Sequence, residues 1–118
     1  EEHGHEDAEE AEVVLNSESK LQALVSELRA MRAADASSKA LIFSQFASTL
    51  KWLQRRLPEE GFGFRTISGS MPLKQRDQAI QAFQKDPPTT VFVLSMRAGA
   101  VGINLTSATH VFLVEPAI

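Results

Sequence analysis

The sequence predicts an α/β fold in which a parallel sheet carries helices on both faces. Two observations carry this prediction. Segments whose apolar residues recur at helical spacing alternate with short runs of strand length, and the connections between those runs are short. Alternation with such crossovers makes the strands parallel and the connections right-handed. At 118 residues the chain has room for one domain.

The first ordered element is a helix beginning near Ser19. Leu21, Leu24, Val25, Leu28 and Met31 share one face, and Ser19 with Gln22 resembles a capping box. It runs out near Ala34, and Asp35-Ala36-Ser37-Ser38 reads as a loop. Ala40-Leu41-Ile42-Phe43 is uninterrupted and apolar, as expected of a strand covered on both faces. Ser44 is placed to cap a second helix, with Phe46, Leu50, Leu53 and Leu57 on one side and Pro58 and Gly61 as its stop. Phe64 to Ile67 forms the second strand, followed by the turn Ser68-Gly69-Ser70. Pro72 sits within the first turn of a third helix whose inner face is Leu73, Arg76, Ile80 and Phe83, and Asp86-Pro87-Pro88 ends it. Thr90 to Leu94 and His110 to Val114 are the last two strands.

Composition narrows the chemistry. With no cysteine there is no disulfide scaffold, zinc ribbon or thiol nucleophile. The chain has no run of eighteen apolar residues and no basic segment followed by an apolar one near its start. It is therefore expected to be soluble and intracellular, without membrane span or signal peptide. Glu1, Glu2, Glu6, Asp7, Glu9, Glu10 and Glu12 are seven of the fifteen carboxylates; the other eight face twelve Lys and Arg, so the rest of the chain is mildly basic. Residues 1–16 are expected to be an acidic, disordered and solvated tail or linker, because they have no apolar stripe to bury. His3 and His5 beside Glu6 and Asp7 have ligand chemistry but no scaffold to fix it, so no metal site is expected there.

In a parallel sheet, ligands meet the loops at the carboxyl ends of the strands. Three loops there carry polar chemistry: Ser44-Gln45, Ser68-Gly69-Ser70 and the segment from Ser95 to Thr106. The serine-glycine-serine turn brings hydroxyls and free N–H groups to a helix start, which suits an anion; the plainer reading is that Ser70 caps the helix. In the third loop Gly99 and Gly102 allow sharp turns, Ser95 offers a hydroxyl and Arg97 a fork matched to phosphate oxygens. A tight turn with a solvated Arg97 accounts for the spacing equally well. The loop is neither a Walker A sequence nor a dinucleotide fingerprint, and no nucleophile elbow exists for a serine hydrolase.

Taken in order, Leu41-Ile42-Phe43-Ser44-Gln45-Phe46, then Ser68-Gly69-Ser70 with Arg76 and Phe83 downstream, then Leu94-Ser95-Met96-Arg97-Ala98-Gly99-Ala100-Val101-Gly102-Ile103-Asn104-Leu105-Thr106-Ser107-Ala108 resemble the C-terminal helicase lobe, the second RecA-like domain, of Swi/Snf-type DNA-dependent ATPases. Phe112-Leu113-Val114-Glu115-Pro116 is similar to the branch that includes the DNA-damage-tolerance translocases, some of which carry a RING ubiquitin-ligase insert. The resemblance covers about residue 19 to the end and implies a partial lobe over residues 17–118, incomplete at its C-terminus. It implies that Ser44, Gln45, Ser68, Gly69 and Ser70 lie along a DNA backbone, that Ser95, Arg97 and Gly99 bind DNA where that surface meets the ATP cleft, and that Gly102 and Asn104 lie nearer the nucleotide. It further implies ATP and magnesium as cofactors, held mainly by an N-terminal RecA-like lobe. Duplex DNA, that first lobe, and nucleosomes or replication and repair proteins are the implied partners, in the nucleus and away from membranes. Ala100 stands where the family usually has glycine, and Met96 where many members have threonine. Neither the first lobe nor the arginine-bearing helix that follows this block in the family is present, so the chain alone is expected not to turn over ATP. An RNA helicase lobe of the same superfamily and a degenerate, non-catalytic interaction module are the alternatives.

Overall fold

The structure, a computed structural model, describes the backbone of residues 2–95 and 105–114 and side chains from residue 18 onward within those limits. In chain order the elements are α1 (Glu2–Ala34), β1 (Ala40–Ser44), α2 (Ala47–Glu59), β2 (Gly63–Ile67), α3 (Leu73–Lys85), β3 (Thr89–Ser95) and β4 (His110–Leu113). The four strands form one sheet in the order β2-β3-β1-β4, every pair parallel.

That order explains why both faces are covered. From β1 the chain crosses two places along the sheet to β2, then returns one place to β3. Right-handed connections running in opposite directions put α2 and α3 on opposite faces. Alternation along the strands supplies both cores. Ala40, Ile42, Val91 and Val93 meet Leu53 and Leu57 of α2 and Leu21, Leu24, Leu28 and Met31 of α1. Leu41, Phe92, Leu94 and Ile67 meet Ala79 and Phe83 of α3. The Phe83 and Phe92 rings lie 5.2 Å apart at 44°, a tilted arrangement favoured by their quadrupoles.

Several boundaries differ from expectation for physical reasons. The backbone of α1 is helical from Glu2, well before Ser19; the Ala- and Glu-rich stretch ahead of Ser19 has high helix propensity and no proline. The expectation of a solvated acidic tail over residues 1–16 concerns side chains outside the described ones. Pro58 does not stop α2 but lies inside its last turn, where its missing N–H forfeits a single bond. The stop is a Schellman motif: Gly61 adopts φ +80°, its N–H reaches Pro58 O at 3.0 Å, and Phe62 N–H reaches Leu57 O at 3.0 Å. Leu57 and Phe62 pack together in the core, the apolar contact that accompanies this motif.

Pro72 is the N-cap of α3 and not its first helical residue. Neither helix start is capped by a side chain, so the capping roles expected of Ser44 and Ser70 are not realised. Leu73 belongs to no inner face. It is 73% exposed in the first turn of α3, and full burial begins further along the helix, at Ala79 and Phe83.

Two residues remote from the strand carboxyl ends hold the layers together. Lys39 Nζ donates to the carbonyls of Phe83, Asp86 and Thr89, tying the end of α3 to the start of β1. Glu60 accepts Arg29 Nε at 2.6 Å and pairs with Arg56 at 3.1 Å, while Arg32 donates to Glu60 O at 2.9 Å, joining α1 to the end of α2. The hydrogen bond from Arg29 is the main reason the Glu60 carboxyl sits below the usual glutamate range; burial opposes it, and the charges of Arg29, Arg56 and Arg32 add to it.

Candidate nucleic-acid interface

The parallel registers align three strand ends. Phe43 and Ile67 both pair with Leu94, and Ser44 pairs with Ser95, so Ser68, Ser95 and Ser44 form a row across β2, β3 and β1 at one level. The sequence separates these serines by dozens of residues; the sheet makes them neighbours.

Their environments differ. Ser44 is fully buried, because β1 is a central strand with β3 on one side and β4 on the other, and its Oγ accepts the Phe46 N–H at 3.2 Å. That bond turns the chain into α2 and leaves Gln45 as the exposed member of the pair. Ser95 is nearly buried at the end of β3. Ser68, Gly69 and Ser70 are exposed just past the end of the edge strand β2, in a turn closed by Met71 N–H to Ser68 O at 3.2 Å. A Cβ added to Gly69 would meet nothing within 4 Å. The lobe's own packing therefore does not require glycine there.

Arg97, Gly99, Gly102 and Asn104 lie outside the described residues. The described loop from Leu105 to Ala108 lies on the α3 side, where Leu105 and Ala108 pack against the second core. It is pinned there by Ser107 N–H to Gln84 Oε1 at 3.1 Å and by Ser107 Oγ to Gln84 O at 3.3 Å.

One side chain beside the Ser68-Gly69-Ser70 turn, Arg76, stands out in the sequence as an inner-face arginine expected to pair with a carboxylate or reach a loop. Arg76 reaches back from α3 to the turn before it: Nε donates to Met71 O at 3.0 Å, and Nη2 to Gly69 O at 3.0 Å and Ser68 O at 3.4 Å. Of the two expected partners it takes the loop, and the particular acceptors have no sequence pattern, because backbone carbonyls look alike at every position.

As to cofactors, the described residues contain no glycine-rich Lys-Ser/Thr cradle for phosphates. Among them no group of three or more His, Asp or Glu side chains is placed to hold a metal ion. No described helix is long and apolar enough to cross a membrane.

A doubly covered parallel sheet with polar loops gathered at its carboxyl edge fits a RecA-like helicase lobe, and this chain is one such lobe in part. It belongs to the helicase conserved C-terminal domain family, which matches residues 19–117, and within it to the Swi2/Snf2 type. It is 41% identical over 100 residues to the ATP-dependent helicase rhp16 of Schizosaccharomyces pombe, covering 85% of this chain and 12% of that protein. It is 40% identical over 104 residues to the DNA repair protein RAD5 of Mycosarcoma maydis, covering 86% and 8%. With the human helicase-like transcription factor it shares 40% identity over 103 residues, covering 86% and 10%. The chain thus spans about a tenth of the length of these relatives. Among solved structures, the C-terminal part of the Fun30 ATPase domain superposes with a TM-score of 0.68 at 30% identity, covering 79% of this chain and 31% of that one. The Sulfolobus solfataricus SWI2/SNF2 ATPase C-terminal domain gives 0.65 at 32%, covering 78% and 41%.

Proposed function

We propose that this chain is part of the second motor lobe of an ATP-dependent translocase on double-stranded DNA, of the kind that serves DNA repair or chromatin remodelling. The observation that carries the reading is the carboxyl edge of the sheet, where Gln45 and the Ser68-Gly69-Ser70 turn stand exposed beside the starts of α2 and α3. Neither helix has an acidic residue in its first turn, so the positive ends of both dipoles are left for an anion. Neutral donors and helix ends of this kind hold phosphates and give affinity without choice of sequence, as a motor that moves along DNA requires. Arg97 and Gly99 extend this surface in the proposal, and Gly102 and Asn104 face the nucleotide. ATP and magnesium would be held mainly by an N-terminal RecA-like lobe, the principal protein partner. Nucleosomes or repair proteins are further partners, and the nucleus is the compartment.

The test is ATP hydrolysis by the intact protein with duplex DNA or single-stranded RNA added. Stimulation by duplex DNA supports the reading. Stimulation by RNA alone replaces it with an RNA helicase, and turnover that neither polymer stimulates, or no turnover, leaves an interaction module.

A further inference from the structure

We propose that Arg76 is the positioning residue of the Ser68-Gly69-Ser70 turn: it does not touch nucleic acid, but polarises the turn so that donors face outward and acceptors inward. The inference rests on the reading of this turn as a phosphate contact and assigns a role to a residue that reading does not use.

The turn is short, exposed and made of small residues, so its own side chains do little to fix its conformation. A free turn of this kind presents carbonyl oxygens as readily as N–H groups, and a carbonyl lone pair turned toward a phosphate repels it. Arg76 removes that alternative. Its planar fork takes the carbonyls of Gly69 and Met71 at 3.0 Å and shares the Ser68 carbonyl at 3.4 Å with the Met71 N–H. Three of the turn's four acceptors point back at the lobe. Among the described residues, the backbone N–H groups of Gly69 and Ser70 donate to no protein group. The open space where a Gly69 Cβ would stand leaves the turn approachable from outside. The guanidinium itself is half-buried behind the turn and committed to its carbonyls. A lysine offers one compact donor group in place of the fork and cannot hold three acceptors in that plane.

The experiment uses the intact protein and measures duplex DNA affinity across a salt series, with thermal unfolding alongside, for Arg76→Ala, Arg76→Lys and Gly69→Val. Gly69→Val tests the turn directly by blocking its outer face. A positioning role predicts that Arg76→Ala weakens DNA binding about tenfold with an unchanged salt slope, because the turn's N–H groups are neutral donors whose binding to phosphate releases no counterions. Arg76→Lys is expected to recover only part of the affinity, and Arg76→Ala to add little in the Gly69→Val background. A salt slope shallower by about one unit would make Arg76 a direct phosphate contact and overturn the proposal. Lowered unfolding temperature with unchanged DNA affinity would also overturn it, leaving a purely structural arginine. If Arg76→Ala does not fold, Arg76→Lys is read by the same criteria. If Gly69→Val itself leaves DNA binding intact, the phosphate reading of the turn fails, an outcome distinct from failure of the arginine's role.

Discussion

Replacing Lys39 by methionine isolates what one ammonium group contributes to seating α3 on the sheet. The apolar stem is retained in kind, while the three hydrogen bonds to the carbonyls of Phe83, Asp86 and Thr89 are removed together with the ammonium's approach to the Phe83 ring, 5.3 Å from Nζ to the centroid. Hydrogen bonds from a charged donor contribute about 1.5–3 kcal/mol each when isolated, giving a gross value of about 4.5–9 kcal/mol for three. Two effects reduce it. Burial pulls the Lys39 pKa below the usual lysine value, with the Asp86 charge opposing, so holding the charge here has a cost. The Asp86 carbonyl, in an exposed segment, also regains water once freed. A net loss of about 2–3 kcal/mol remains. In urea, with a slope of about 1–1.5 kcal/mol/M for a chain of this size, the midpoint falls by roughly 2 M. Emission of Trp52, the one tryptophan of the sequence, follows the transition. Lys85→Met is the control: Lys85 is exposed in the last turn of α3, where it complements the helix dipole, so its removal is expected to cost at most about 0.5 kcal/mol. Equal midpoints for the two variants would refute the hydrogen-bond argument and leave a general charge effect.

Gly61→Ala should lower stability by about 1 kcal/mol through backbone strain at φ +80° alone, since the nearest atom to an added Cβ is Arg32 Nη1 at an ordinary 3.6 Å. Gly63→Ala should be far worse, because its Cβ would fall 2.3 Å from the Pro88 carbonyl oxygen; chemical denaturation ranks the two, and the reverse order would refute the assignment. Glu60 gives a pH dependence: its folded pKa lies below its unfolded value, so its stabilisation is present at neutral pH and is lost as pH falls through the folded pKa. Glu60→Gln should flatten the acid limb of the stability profile, and an unaltered limb would show that other carboxylates control it. Ser70→Ala should change stability by less than about 0.5 kcal/mol, since Pro72 occupies the N-cap, so a loss of about 1 kcal/mol in thermal unfolding would restore the cap.

Much of the fold is legible in the chain because periodicity is local. Leu21, Leu24, Leu28 and Met31 declare one helix face at 3.6 residues per turn, and the alternation of Val91 and Val93 with Phe92 and Leu94 already assigns each side of β3. The order of motifs from Leu41 to Ala108 likewise identified the family. Tertiary structure alone decided the strand order, because a crossover's destination depends on distant partners. That order buries Ser44 on a central strand, exposes Ser68 just past an edge strand, and sets both in a row with Ser95. It also decided the partners of Arg76 and Lys39. Their acceptors are backbone carbonyls, present at every residue and distinguished only by where the folded chain directs them.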